Sequence, residues 1–205
     1  MCRKHEKTKE ATGRQFKLMT FTCINDLKKC RRLVIKVGSA LLVTKGAPRK
    51  KWIEELIKDL AILRSEGVEV ILVSSGAIAL GAARLGLHGG LRKSLADAQA
   101  AASVGQISLS ALWARNLEKV GITAAQILIS LSDLEDRRRY LNASATLSRL
   151  IEAGAVPVIN ENDSVATEEI RFGDNDRLAA RVAQAARADC LLLLSDVDGL
   201  YDRDP

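Results

Sequence analysis

Five short, largely apolar runs at 33–37, 68–73, 122–129, 155–159 and 190–194 constrain this chain more than any other feature of it. A strand with one wet face alternates polar and apolar residues. These runs, as in Leu33-Val34-Ile35 and Leu191-Leu192-Leu193-Leu194, are apolar on both faces. Strands of that kind belong to parallel sheets covered by helices on both sides. The intervening stretches suit crossover helices and are too long for tight hairpins. The pattern predicts an α/β fold, a three-layer α/β/α sandwich around a mainly parallel sheet.

Helices are expected at 49–66, 77–86, 95–120, 134–153 and 175–188. In the first, Trp52, Leu56, Leu60 and Leu63 share one face, with Lys50, Lys51, Glu54, Glu55 and Lys58 mostly opposite, the periodicity of an amphipathic helix. Gly67, Gly121 and Gly154 follow helical stretches as capping glycines do. Residues 86–90 read as a Gly-rich loop, and 160–173 as polar and irregular, with room for a hairpin.

Composition bounds the rest. At about 150 residues per domain, 205 residues hold one domain and part of another. Aromatics are only 3%, so the core must be built from Ala, Val, Leu and Ile. The formal charge of +6 is not spread over the fold: residues 1–32 hold ten Lys or Arg against three acids, and 33–205 hold 21 against 22. The basic excess is assigned to an N-terminal extension, 1–30, expected to be disordered. A transit peptide, or an early start codon with Met19 as the second start, are the alternatives for it. A near-neutral body argues against a nucleic-acid face. No apolar run reaches the roughly 18 residues of a membrane span, so no membrane association is expected. Cys2, Cys23, Cys30 and Cys190 show no CxxC spacing and no adjacent His. That favours reduced thiols in a cytoplasmic protein over a disulfide framework, and no metal site is expected.

In a parallel sheet, ligands bind beyond the carboxyl ends of the strands. Here those ends read Lys36-Val37-Gly38-Ser39, Ser74-Ser75-Gly76, Asn160-Glu161-Asn162-Asp163 and Ser195-Asp196. Each is small or polar. Glycine lets backbone N–H groups approach an anion, and a helix starting after Ser75-Gly76 adds its positive end. Any one such turn is explained by packing alone; four at the same edge of one sheet favour a site. Lys36 stands inside an apolar strand, where a lysine is costly unless it is paired or meets a ligand. An edge-strand or snorkelling lysine is the bland alternative.

The stretch Asp174-Asn175-Asp176 opens a helix. One acid there is explained by capping, but two acids and an Asn exceed that need and could hold an ammonium group, a magnesium ion or a lysine. Arg137-Arg138-Arg139, flanked by Asp133, Glu135 and Asp136, reads as a solvated helix face or subunit contact. His5 and His88 are isolated. The sequence contains no GxxxxGK[ST], GxGxxG or GxSxG.

The segments IKVGSALL (35–42), VSSGAIALG (73–81), PVINENDSVAT (157–167), FGDNDRLAA (172–180) and LLLLSDVDGLY (192–201) resemble those of the glutamate 5-kinases, within the amino acid kinase family. The likeness runs from about residue 31 to 205, and PVINEND followed by GDND is its most specific part. The resemblance implies ATP- and Mg²⁺-dependent phosphorylation of the γ-carboxylate of L-glutamate to γ-glutamyl phosphate, the first step of proline biosynthesis. It implies catalytic roles for Lys36, Asp174 and Asp176, and glutamate binding by Ser75, Gly76, Asp163 and Asn175. Lys36, Gly38, Ser39, Ser195 and Asp196 would begin the nucleotide site. Proline as a feedback inhibitor and a homo-oligomeric assembly are further implications.

That family continues past the SDVDGLY segment into a Gly-rich nucleotide loop and a second catalytic lysine. Residues 31–205 are therefore expected to hold the glutamate-binding part and the start of the nucleotide-binding part of a kinase domain, incomplete at its C-terminus. A truncated, inactive glutamate-binding or subunit-interaction fragment of the same fold is the alternative.

Overall fold

The computed structural model describes residues 24–87, 94–165 and 174–196. Five strands form one sheet, all neighbours parallel: β1 (Arg32–Val37), β4 (Glu69–Ser74), β5 (Ala124–Ile129), β6 (Val156–Glu161) and β7 (Cys190–Leu194), in the spatial order β5-β6-β4-β1-β7. The predicted parallel sandwich is what the chain adopts.

Alternation along the strands splits the core in two. Leu33, Ile35 and Val37 of β1 with Val70 and Leu72 of β4 face α2 (Lys50–Ser65), α3 (Ala77–Leu85) and α4 (Leu95–Glu118). Val34, Ile71 and Val73 face the other way, onto α6 (Arg137–Glu152) and α7 (Asp174–Ala186). Lys36 shares the parity of Val34, so it points to the α7 side.

Several boundaries differ from expectation for physical reasons. The buried line of α2 is Ile53, Ile57 and Leu60, with Trp52, Leu56 and Leu63 flanking it. The helix expected at 134–153 is two helices. Asp136 sits in extended backbone between α5 (Leu131–Glu135) and α6, and its carboxylate accepts from Arg139 N–H at 2.8 Å. An aspartate that can cap a new helix competes with continuing the old one. Strand β6 runs two residues beyond the expected end, so Asn160 and Glu161 belong to the sheet. The segment 160–173 opens with that strand end and a 3-10 turn at Asp163–Val165; 166–173 lie outside the described residues. A four-residue α1 (Ser39–Leu42) and a hairpin of β2 (Val43–Thr44) with β3 (Ala47–Pro48) follow β1 and had no sequence signal.

Part of the expected N-terminal extension is structured. Ile24–Lys29 makes a 3-10 turn, with Leu27 and Cys30 buried against the α2 side of the core. Residues 1–23 lie outside the described residues, as do 88–93 with most of the Gly-rich loop.

Helices α3 and α4 cross with their backbones in contact. A Cβ on Gly81 would fall 1.8 Å from the Ala101 carbonyl oxygen, and one on Gly105 1.7 Å from that of Ala77. Only glycine permits this approach, which holds the start of α3 and the middle of α4 over the same end of the sheet. No helix among the described residues is long and apolar enough to cross a membrane.

Candidate active site

The sheet register lines up four strand ends. Val37 of β1 pairs with Ser74 on one side and Leu194 on the other, and Val73 pairs with Ile159, one residue before Asn160. Everything just beyond this row shares one edge, the position expected for a ligand.

Lys36 is buried, its side chain 11% exposed, and its Nζ lies 2.6 Å from Asp176 Oδ1 on the first turn of α7. The contact is an ion pair rather than an aligned hydrogen bond. A carboxylate beside it offsets the burial of that side chain. Gly38 lies beside the lysine: a Cβ there would come 3.3 Å from Leu194 O, 3.9 Å from Lys36 Nζ and 4.0 Å from Ser195 Cα. Its own N–H is donated to Leu194 O at 3.1 Å, so Gly38 contributes closeness rather than a free donor. Ser39 begins α1. Ser195 and Asp196 are exposed just past β7, their side chains 3.4 Å apart.

On the β4 side, Gly76 adopts a left-handed conformation with φ +107° and no side chain caps α3 behind it. The first N–H groups of that helix therefore remain open to an acceptor. The turn is fixed from below: Trp113 Nε1 donates to Ser74 Oγ at 2.8 Å, and Ser74 Oγ donates to Ser75 O at 3.1 Å. Ser75 N–H is committed to Val37 O, but its hydroxyl is not. Asn175 Nδ2 donates to Ser75 Oγ at 2.8 Å and lies 3.4 Å from Asn160 Oδ1. Asn175 Oδ1 is buried and has no hydrogen-bond partner among the described residues. A buried, unmatched acceptor at a strand-end row is what a donor-bearing ligand would satisfy.

Asp163 is buried at the start of the 3-10 turn and lines a small hollow with Gln106 and Glu161. Asp174 is the first residue of α7. The structure thus groups Lys36, Gly38, Asp176 and Ser195 on one side, and Ser75, Gly76, Asn175 and Asn160 on the other. Gln106 and the Trp113–Ser74 bond were missed. Gln106 sits on an Ala-rich helix without a motif, and Trp113 reads as plain core. Among the described residues no three His, Cys, Asp or Glu side chains converge into a metal cage.

A model of the amino acid kinase family matches residues 31–205. The chain belongs to the amino acid kinase family. Among curated relatives, glutamate 5-kinase of Novosphingobium aromaticivorans is 66% identical over 190 residues, covering 92% of this chain and 50% of that protein. The glutamate 5-kinase of Zymomonas mobilis is 60% identical, covering 87% of this chain and 45% of its own length. The chain spans about half the length of the curated relatives it matches. Among solved structures, the isopentenyl phosphate kinase of T. acidophilum superposes with a TM-score of 0.57 at 22% identity, covering 85% of this chain and 74% of its own. UMP kinase from Bacillus anthracis gives 0.57 at 19%, covering 86% and 69%. At such identities these two establish a shared amino acid kinase fold and nothing finer.

Proposed function

We propose that this amino acid kinase chain carries the glutamate site and the beginning of the nucleotide site of a glutamate 5-kinase, which transfers the γ-phosphoryl group of ATP to the γ-carboxylate of L-glutamate. The observation that carries this reading is the convergence, at one row of strand ends, of a buried ammonium (Lys36) with an unmatched amide acceptor (Asn175 Oδ1) and an available hydroxyl (Ser75).

A γ-carboxylate is ionised at neutral pH, so its oxygen attacks the γ-phosphorus without a general base. What remains is positioning and neutralisation of charge on the phosphoryl oxygens. Lys36 supplies that positive charge, and Asp176 fixes where its Nζ stands; the resemblance extends a catalytic role to Asp174. Ser75 donates to a glutamate carboxylate, the N–H groups behind Gly76 add further donors, and Asn175 with Asp163 receives the α-ammonium. Gly38 and Ser39 lie under the phosphates, with Ser195 and Asp196 at the nucleotide edge. The described side chains do not form a magnesium cage; Mg²⁺, arriving with ATP, would supply charge neutralisation. The cellular setting is the cytoplasm and the first step of proline biosynthesis, with proline as feedback inhibitor of a homo-oligomer.

The test pairs calorimetric titration with L-glutamate and ATP/Mg²⁺-dependent formation of γ-glutamyl hydroxamate in the presence of hydroxylamine. Saturable glutamate binding is expected. Binding without hydroxamate would identify a glutamate-binding chain that does not turn over, and absence of both would sink the reading.

A further inference from the structure

The Ser75–Asn175 contact is the inner end of a longer chain of hydrogen bonds. Asn160 Nδ2 donates to Gln106 Oε1 at 2.8 Å, Gln106 Nε2 donates to Ser110 Oγ at 3.2 Å, and the Ser110 hydroxyl reaches Gln126 Oε1 at 2.6 Å and the Gln106 backbone carbonyl oxygen at 2.9 Å, with one proton to share between them. Gln106 and Ser110 are on α4, and Gln126 is on the edge strand β5. The chain therefore crosses the end of the sheet from its outer strand to the Lys36 neighbourhood.

A primary amide has a donor end and an acceptor end, so each link orients the next. With Gln106 Oε1 toward Asn160, the Asn160 amide presents its Oδ1 to Asn175. Asn175 then directs its Nδ2 to both Asn160 and Ser75, and its Oδ1 is left over. Because Ser75 Oγ accepts from Asn175, the Ser75 proton is free to donate elsewhere. The two atoms left for a ligand are one donor and one acceptor, which match a carboxylate and an ammonium.

We propose that Gln106 is a positioning residue for the amino-acid substrate. By fixing the direction of the Gln106–Asn160–Asn175–Ser75 relay, it determines that the Ser75 hydroxyl proton and Asn175 Oδ1 face the ligand. The identity of that ligand rests on the glutamate reading above; the relay itself does not. Gln106 touches neither phosphate nor reacting carboxylate in this scheme. Its loss scrambles the amides and weakens recognition of the α-ammonium while leaving Lys36 in place.

Three variants separate the possibilities: Gln106→Met, which keeps length and removes both polar ends; Gln106→Glu, which still accepts from Asn160 while Ser110 turns its proton inward; and Ser110→Ala, which removes the outer anchor. Titration with L-glutamate and with glutarate, which lacks the ammonium, should show Gln106→Met losing about tenfold in L-glutamate affinity, the effect of one ligand hydrogen bond. Glutarate keeps the carboxylate that Ser75 binds but lacks the ammonium, so it should lose less, and the preference between the two narrows. Gln106→Glu should keep wild-type preference. A merely structural role would lower both affinities by the same factor. In parallel, side-chain amide ¹H–¹⁵N spectra of the ligand-free protein should show the Asn175 resonances moving in Gln106→Met and in Ser110→Ala, and staying near wild type in Gln106→Glu. Unchanged Asn175 amides in folded Gln106→Met, or an unchanged L-glutamate-to-glutarate preference, overturns the proposal. Wild-type protein that binds no glutamate refutes the functional reading alone, and the spectra then decide the relay.

Discussion

Lys36 Nζ and Asp176 Oδ1 lie 2.6 Å apart, yet the two side chains differ in exposure, 11% for the lysine and 45% for the aspartate. The pair is therefore asymmetric. Removing Lys36 leaves a carboxylate that water reaches, whereas removing Asp176 leaves an ammonium inside the sheet edge. Asp176→Ala should cost on the order of 3 kcal/mol, the penalty for stranding a buried charge. Lys36→Met should cost about 1 kcal/mol or less, because the apolar isostere suits its surroundings. Urea unfolding of both variants checks this, and equal losses would contradict the asymmetry. On the proposed function, Lys36→Met in a protein with kinase turnover should lower kcat on the order of 10²-fold or more, since it would remove charge stabilisation from the transferring phosphoryl group.

The crossing of α3 and α4 predicts a second stability result. Gly81→Ala places a methyl 1.8 Å from the Ala101 carbonyl oxygen, and backbone cannot yield as a side chain would. The loss should be about 3 kcal/mol or more. Gly121→Ala meets nothing within 4 Å and suffers only from its φ of +74°, so about 1 kcal/mol is expected. Since α3 starts at the Ser75-Gly76 turn, Gly81→Ala should also weaken ligand binding. Denaturation midpoints in the reverse order would show that the helices do not meet at this glycine.

Asp133 predicts a pH dependence. Burial pushes its carboxyl up, but hydrogen bonds from the Ser130 hydroxyl and backbone N–H, together with Arg139, outweigh it and hold the group below its ordinary value. A depressed pKa contributes stability above the unfolded value of about 3.9, lost as pH falls through the lower folded value. Wild type should therefore be more stable than Asp133→Asn at pH 7, and the gap should narrow as pH falls below about 4. Urea midpoints for both proteins at pH 7 and pH 3 measure it. A constant gap would mean that the cap, not the charge, is what Asp133 supplies.

The sheet was legible because its strands are apolar on both faces, and the row of ligand-side residues followed from knowing where such strands end. Lys36 announced itself as a charge in Leu-Val-Ile-Lys-Val, and the Asp-Asn-Asp stretch as more polar than a cap requires. A lysine was one of the partners that stretch could hold, but that Asp176 in particular meets Lys36 could not be read, because the register and the placement of α7 decide it. Asn160 read as loop and is the penultimate residue of β6: a strand that ends in a polar network keeps polar residues in its ladder. Gln106 and Ser110 gave no signal, since one face of α4 looks like any wet helix face until β5 and β6 are laid against it. The break at Asp136 was hidden for a simpler reason. Its charged neighbours keep the helical composition while the side chain itself ends one helix and starts the next.

The thiols Cys30 and Cys190 give the last prediction. They lie near the start of β1 and β7, close enough for each to bear on the other's ionisation. Burial first, then the neighbouring Cys190 and the Asp189 carboxylate, push the Cys30 thiol up from 9.0 to about 11. The thiolate is the nucleophile, so this shift lowers the reactive fraction at pH 8 about a hundredfold, before limited access is counted. Folded protein treated with iodoacetamide should modify Cys30 more slowly than the less buried Cys190, and both more slowly than in urea-unfolded chain, as read by peptide mass spectrometry. The sign for stability follows from the raised value. The contribution is fully present below the unfolded pKa near 9 and is lost as pH rises toward 11. Wild type should accordingly lose stability relative to Cys30→Ala over that interval. Labelling of Cys30 in folded protein at the unfolded rate would show that this corner, where the 3-10 turn meets β7, is open to solvent.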